Sequence, residues 1–174
     1  MNDTVMSIVA IFLAAILMFI FPLMSTADRS DDIAQQVVQT ATTEFVDNIR
    51  STGKITQDKY DSFTDTLAAT GNAYDVDMEV QILDESANKK TSQVQASKVG
   101  ENYYYSEYNT QIENKLAETG TYTLKQGDII SVSVKNSNQT ISQVLKNFIY
   151  RVSGNNTYNI AAADSGIVNV NGAY

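Results

Sequence analysis

The sequence predicts an α+β fold, in which one long N-terminal helix carries a small globular head with an antiparallel sheet and two or three short helices. Three patterns predict it. Residues 5–24 hold no charged side chain and one polar one, Ser7. Beyond them, apolar residues recur at helical spacing to about residue 51, and no glycine occurs before Gly53. The rest of the chain switches between alternating and every-fourth-residue patterns, the mark of mixed strands and helices. The expected organisation is an apolar half-helix over residues 1–25, an amphipathic half-helix over 26–53 and an α+β head over 54–174.

The apolar run is long enough to cross a bilayer: ~20 residues at ~1.5 Å each give ~30 Å. It is too long for a usual signal-peptide core, and no small-x-small cleavage site follows it. Past Thr26 the apolar positions become Ile33, Val37, Ala41, Phe45 and Ile49, separated by Asp, Gln, Thr and Glu residues. This predicts a narrow apolar stripe on a helix that continues the first. One helix from about residue 3 to 51 would be ~70 Å long. Gly53 is placed to cap it, and Pro22 is where a kink is expected.

Thr56 is the expected N-cap of a second helix over about residues 57–70, with Tyr60, Phe63 and Leu67 on its buried face and Gly71 at its end. Val76, Met78, Val80 and Ile82 alternate with Asp75, Asp77, Glu79 and Gln81, which reads as a half-buried strand. Residues 84–102 read as a polar surface loop. Tyr104, Tyr108, Ile112 and Leu116 predict a helix from about Ser106 to Glu118, ended by Gly120. Residues 122–124 and 129–134 flank Gln126-Gly127-Asp128 and read as a hairpin. Asn138 or Thr140 should cap a further helix with Ile141, Val144, Leu145, Phe148 and Val152 as its apolar face and Gly154 after it. Two short strands, 158–162 and 167–170, are expected around an Asp164-Ser165-Gly166 turn.

Composition narrows the function. The chain has no Cys and no His. Disulfides, common zinc sites and His-based acid–base catalysis are therefore excluded. A net charge of −8 argues against nucleic acid as a direct partner. Asp75, Asp77 and Glu79 lie ~7 Å apart along a strand, which suits a solvated face better than a converging calcium loop. No Gly-rich phosphate loop and no desolvated carboxylate pair is visible, so neither an enzyme nor a cofactor or metal site is expected. Tyr103 and Tyr105, in a tyrosine-rich run, are candidates for an adhesive surface, or simply anchors of a helix on the sheet. The flanks of the apolar run carry almost no Lys or Arg, and the acidic head is expected outside the membrane for want of a basic cytoplasmic flank.

The absence of any flexible linker between the apolar run and the head is the most telling feature. A simple anchor needs only the span; a rigidly mounted head suits subunits whose rods pack side by side. In this plan, and in the proline about twenty residues in, the chain resembles the type IV pilin superfamily, including Tad-type pilins and pseudopilins. The segment Val37 to Gln81 also resembles pilin-like proteins of Gram-positive Firmicutes. The resemblance implies a membrane-anchored precursor and a helical homopolymer at the cell surface, built by an assembly ATPase and a membrane platform. It places Asp3, Val5, Ile8, Phe12, Ile16, Phe19 and Pro22 in the filament core. The family usually shows a basic leader ending in Gly; residues 1–4 here hold no Lys or Arg, which fits either a leader removed ahead of Met1 or an unprocessed chain. For a mature chain that starts at Met1, Val5 stands where the family's usual glutamate would be, and the resemblance would carry the pairing role to Asp3, the one nearby carboxylate. The alternative expectation is a membrane-tethered surface protein, or a minor pilin or pseudopilin of a secretion or conjugation machine.

Overall fold

The computed structural model of the chain describes residues 2–85, 95–150 and 160–172. Helix α1 runs over Asn2–Thr52 as a single element. It passes through Pro22 without a break, although the proline cannot donate to the carbonyl one turn back. Gly53 ends it in the left-handed region at φ 68°, its N–H donating to the Ile49 carbonyl at 2.8 Å.

The head is α+β, as the sequence predicts. Strands β2 (Tyr74–Leu83), β3 (Tyr104–Tyr108), β5 (Ile129–Asn136) and β6 (Ala161–Ile167) form an antiparallel sheet in the order β3-β2-β5-β6. Strands β1 (Lys54–Thr56) and β4 (Thr121–Thr123) form a separate two-stranded sheet. Helices α2 (Gln57–Ala68), α3 (Asn109–Thr119) and α4 (Ile141–Tyr150) and a single 3-10 turn over Ala96–Lys98 complete the described elements. The alternation along β2 holds: Met78 and Val80 point into the core with Ile130, Val132 and Val134 of β5, while Asp75 and Asp77 face out.

Helix α1 lies across that apolar face. Ala34, Val38, Ala41, Phe45, Val46 and Ile49 are buried there, and Phe45 stacks on Phe63 of α2 at 4.4 Å between ring centroids. The buried stripe differs from the expected one. Ala41, Phe45 and Ile49 belong to it, but Ile33 is exposed and Val37 only half-buried. Helical geometry explains this. A strict four-residue spacing drifts by ~40° at each step, because a turn holds 3.6 residues. Ala34 and Val38 keep to the face that Ile33 and Val37 leave.

Two side chains of α1 fix β6 along it. Gln35 donates to the Ala161 carbonyl at 2.7 Å and accepts from the Ala161 N–H at 3.0 Å. Fifteen residues on, Arg50 Nε donates to the Ile167 carbonyl at 3.2 Å, and its own carbonyl accepts from Asn169. Fifteen helical residues rise ~22 Å and six strand steps ~20 Å, so the two elements run alongside each other in register. Asp164-Ser165-Gly166, expected as a turn, is therefore part of one continuous strand. Gly166 is there because a Cβ would collide with the Arg50 side chain. Residues 151–159, with the expected Val152, Gly154 and Tyr158, lie outside the described residues.

Three further expectations change. Ser106–Tyr108 are strand, not helix: the tyrosine-rich run pairs with β2, Ile82 opposite Tyr105 and Val80 opposite Glu107. The helix starts only at Asn109, whose side chain donates to the Val76 carbonyl and accepts from the Met78 N–H. The expected hairpin does not form. β4 pairs with β1 through Ile55 opposite Tyr122, while β5 pairs with β2 and β6. Asp128 redirects the chain: its buried carboxylate accepts from the Lys125 N–H at 2.8 Å and the Leu83 N–H at 3.0 Å, tying the turn to β2. Finally, Thr56 makes no side-chain cap. The Gln57 N–H donates instead to the Gly120 carbonyl at 3.0 Å.

Replacing Phe45 with Ala should cost ~3–5 kcal/mol of stability in chemical denaturation of the detergent-solubilised chain. Ile33→Ala, outside the buried stripe, should cost less than ~1 kcal/mol in the same assay.

Candidate assembly surface

Among the described residues, none of the apolar half of α1 is fully buried, and only Ile20 and Met24, near its end, are half-buried. Its most apolar eighteen-residue window is wholly unburied and is long and apolar enough to cross a membrane. Val5, Ile8, Phe12 and Phe19 are exposed, and Ile16 is barely so at 37%. At 3–4-residue spacing these five share one face, and the exposed Met6, Val9, Ile11, Leu13 and Leu17 carry the apolar surface round the rest of the helix, as a lipid-facing or multiply packed rod requires. Polar groups in or next to the run are satisfied locally: Ser7 donates to the Asp3 carbonyl at 2.9 Å and Thr26 to the Pro22 carbonyl at 3.0 Å. Asp3 is exposed in the first turn, where a carboxylate favours the helix dipole.

Just past the apolar run, α4 docks on α1 with the face that was expected to be outside. Thr140 caps α4 as predicted. It forms a reciprocal capping box in which its N–H donates to Gln143 Oε1 at 3.0 Å and its hydroxyl accepts from the Gln143 N–H at 3.2 Å. The Thr140 hydroxyl also donates to Asp31 Oδ2 at 2.6 Å. Ser142 donates to Asp28, and Lys146 Nζ lies 2.6 Å from Asp28 Oδ1. Thr140, Ser142 and Gln143 are buried, while Ile141 and Val144 are 68% and 51% exposed. The reason is electrostatic. An apolar face laid over Asp28 and Asp31 would strip two carboxylates of water without giving them partners. The Lys146 ammonium and then the Ser142 hydroxyl hold the Asp28 carboxyl below its ordinary range, against the opposing effect of burial.

A second uncovered apolar surface lies where α2 leaves α1. Ser30, Ile33, Ala34 and Val37 face Thr66, Ala69 and Thr70 across a groove of about 310 Å³. Sequence reasoning assigned Ile33 and Val37 to the core and did not find the groove. The signal was present in the drift of their spacing.

The tyrosines do not make one patch. Strand alternation sends Tyr104 and Tyr108 to one face of β3 and Tyr105 to the other. Tyr105 is exposed and Tyr103 half-buried, with its carbonyl accepting from the Asp84 N–H. Glu107 binds Lys115 at 2.9 Å and the Tyr122 hydroxyl at 2.8 Å, joining α3 to both sheets. Burial would raise the Glu107 carboxyl, but these two partners keep it low. Burial and then Glu107 push the Tyr122 hydroxyl upward. A cleft of about 660 Å³ is an open trough on the outer face of the four-stranded sheet, lined by Asp77, Glu79, Tyr108, Ser131 and Ser133. Glu79 there already accepts from Ser106 and Gln81.

No family model, no curated protein and no solved structure matches the chain. The surfaces themselves carry the functional argument.

Because the folded-state carboxyl of Asp28 is lowered, its contribution is complete above the ordinary carboxylate value of ~3.9 and fades as pH falls through the lower folded one. Hydrogen-exchange protection of α4 should therefore drop selectively below about pH 4. Asp28→Asn should weaken that protection at neutral pH and flatten its pH dependence.

Proposed function

We propose that the chain is a pilin-like structural subunit of an extracellular helical filament, with apolar N-terminal helices packed in the core and acidic heads outside. One observation carries this reading: an uncovered apolar rod continues, as the same helix, into the hydrophobic core of the head. The rod is stable in two surroundings, lipid before assembly and neighbouring rods afterwards. Leaving the bilayer for water would expose ~20 apolar side chains, a cost of tens of kcal/mol at ~25 cal/mol per Å². Withdrawal is therefore feasible only into a partner surface of the same kind. Rods related by a repeated translation and rotation form an open polymer rather than a closed ring.

Asp3 fits this picture. A carboxylate in an apolar core is costly unless paired, and the amino terminus of a neighbouring rod is the cation of matching position. The acidic surface, at a net charge of −8, keeps the exposed heads soluble. The membrane-anchored form is the precursor, and an assembly ATPase with a membrane platform would supply the work of extraction.

Shearing of expressing cells should release the chain in filaments visible by electron microscopy. Recovery of the chain solely by detergent extraction of membranes would sink the filament reading in favour of a tethered surface protein. Asp3→Ala should leave membrane insertion intact and reduce sheared filaments at least tenfold; normal filament yield would remove the pairing role.

A further inference from the structure

Two groups of residues are patterned for burial yet are left incompletely covered: the exposed Ile141 and Val144 on α4, and the exposed Ile33 with the half-buried Val37 on α1. They are complementary in form. On α4 the polar residues Ser142, Gln143 and Lys146 face α1, and at ~100° per residue Ile141 and Val144 point ~180° away from it. They form a projecting apolar ridge. Ile33 and Val37 line the recessed groove between α1 and α2, whose lining carries no charged side chain.

The two surfaces also sit on opposite sides of the same helix. Asp28 and Asp31, which hold α4, and Ile33 and Val37, which line the groove, lie ~170° apart around α1 at ~100° per residue. A ridge on one side and a groove on the other cannot meet within one chain. They can meet between copies.

We infer that the Ile141–Val144 ridge of one copy seats in the Ile33–Val37–Ala69 groove of the next, as a head-to-tail contact between subunits. The contact lies a few residues beyond the exposed apolar run of α1, across the polar belt of residues 25–32. The groove lies about five residues further along α1 than the Asp28–Asp31 dock, a step of ~8 Å. Successive copies are therefore staggered along the axis. A heterologous contact with a stagger extends as a helix instead of closing. The inference rests on the filament reading for this extension; the contact itself is a property of the head.

The chain has no cysteine, so single reporters can be placed without background. Full-length Ile33→Cys and Val144→Cys chains, co-expressed and treated in native membranes with a short bis-maleimide, should cross-link to each other. Each expressed alone should give at least tenfold less dimer. The double variant should give a ladder of multimers. Efficient self-linking of Val144→Cys alone would mean a two-fold contact and would overturn the proposal. So would sheared filaments with no Ile33→Cys to Val144→Cys product, which leaves the filament reading standing. A ladder in membranes without sheared filaments would do the opposite, keeping the contact and removing the filament. A fluorophore attached through Val144→Cys and quenched by nitroxide lipid, at a level independent of chain density, would place lipid on the ridge and overturn the contact.

Discussion

Burial of one face of α1, from Ala34 to Ile49, against the four-stranded sheet is the interaction on which the rest of the molecule depends. Val38, Phe45, Val46 and Ile49 are at most 6% exposed. At ~1.5–3 kcal/mol each their gross burial is worth about 10 kcal/mol, comparable to the net stability of a small domain. The same helix supplies polar fasteners. Gln35 and Arg50 grip the two ends of β6, and Asp28 and Asp31 hold α4. Even Thr42, fully buried, is satisfied by donating to the Val38 carbonyl within its own helix. The head is thus built around α1 rather than attached to it.

That construction links the fold to its use. A helix whose C-terminal half is the spine of a core cannot swivel independently of that core. Motion of the apolar half is transmitted directly to the head, with no glycine before Gly53 to act as a joint. Two distinct solvents act on the two halves: apolar surroundings all round the first, and a single apolar face on the second. The change occurs over Thr26–Asp32, where α4 presents hydroxyls and Lys146 to the acidic residues that begin the second half.

Local features of the sequence were more legible than pairings. The long helix and its cap at Gly53, the β2 alternation and the Thr140 cap follow from local periodicity and local chemistry. The hairpin failed because a short turn does not determine which sheet a strand joins; that is set by Asp128 reaching back to Leu83 and by β1 waiting for a partner. Ser106–Tyr108 failed because every-fourth-residue tyrosines fit a helix and an edge strand equally well, and only the unpaired edge of β2 decides. On α4 the periodicity correctly identified the apolar face, but the carboxylates of α1 determined which face would dock. The uncovered surfaces were missed for a related reason: a pattern says that a residue wants burial, not in which molecule it finds it, and the spacing drift at Ile33 and Val37 shows only which face they leave.

The central claim is that one unbroken helix joins the membrane-length apolar run to the head core. The most direct test is the distance between spin labels attached through Phe12→Cys and Gln39→Cys, both exposed positions on either side of Pro22, in the full chain reconstituted in bilayers. Twenty-seven helical residues span ~40 Å, and a single narrow distribution at that distance is predicted. A broad distribution, or one centred well below it, would place a joint between run and head and contradict the account.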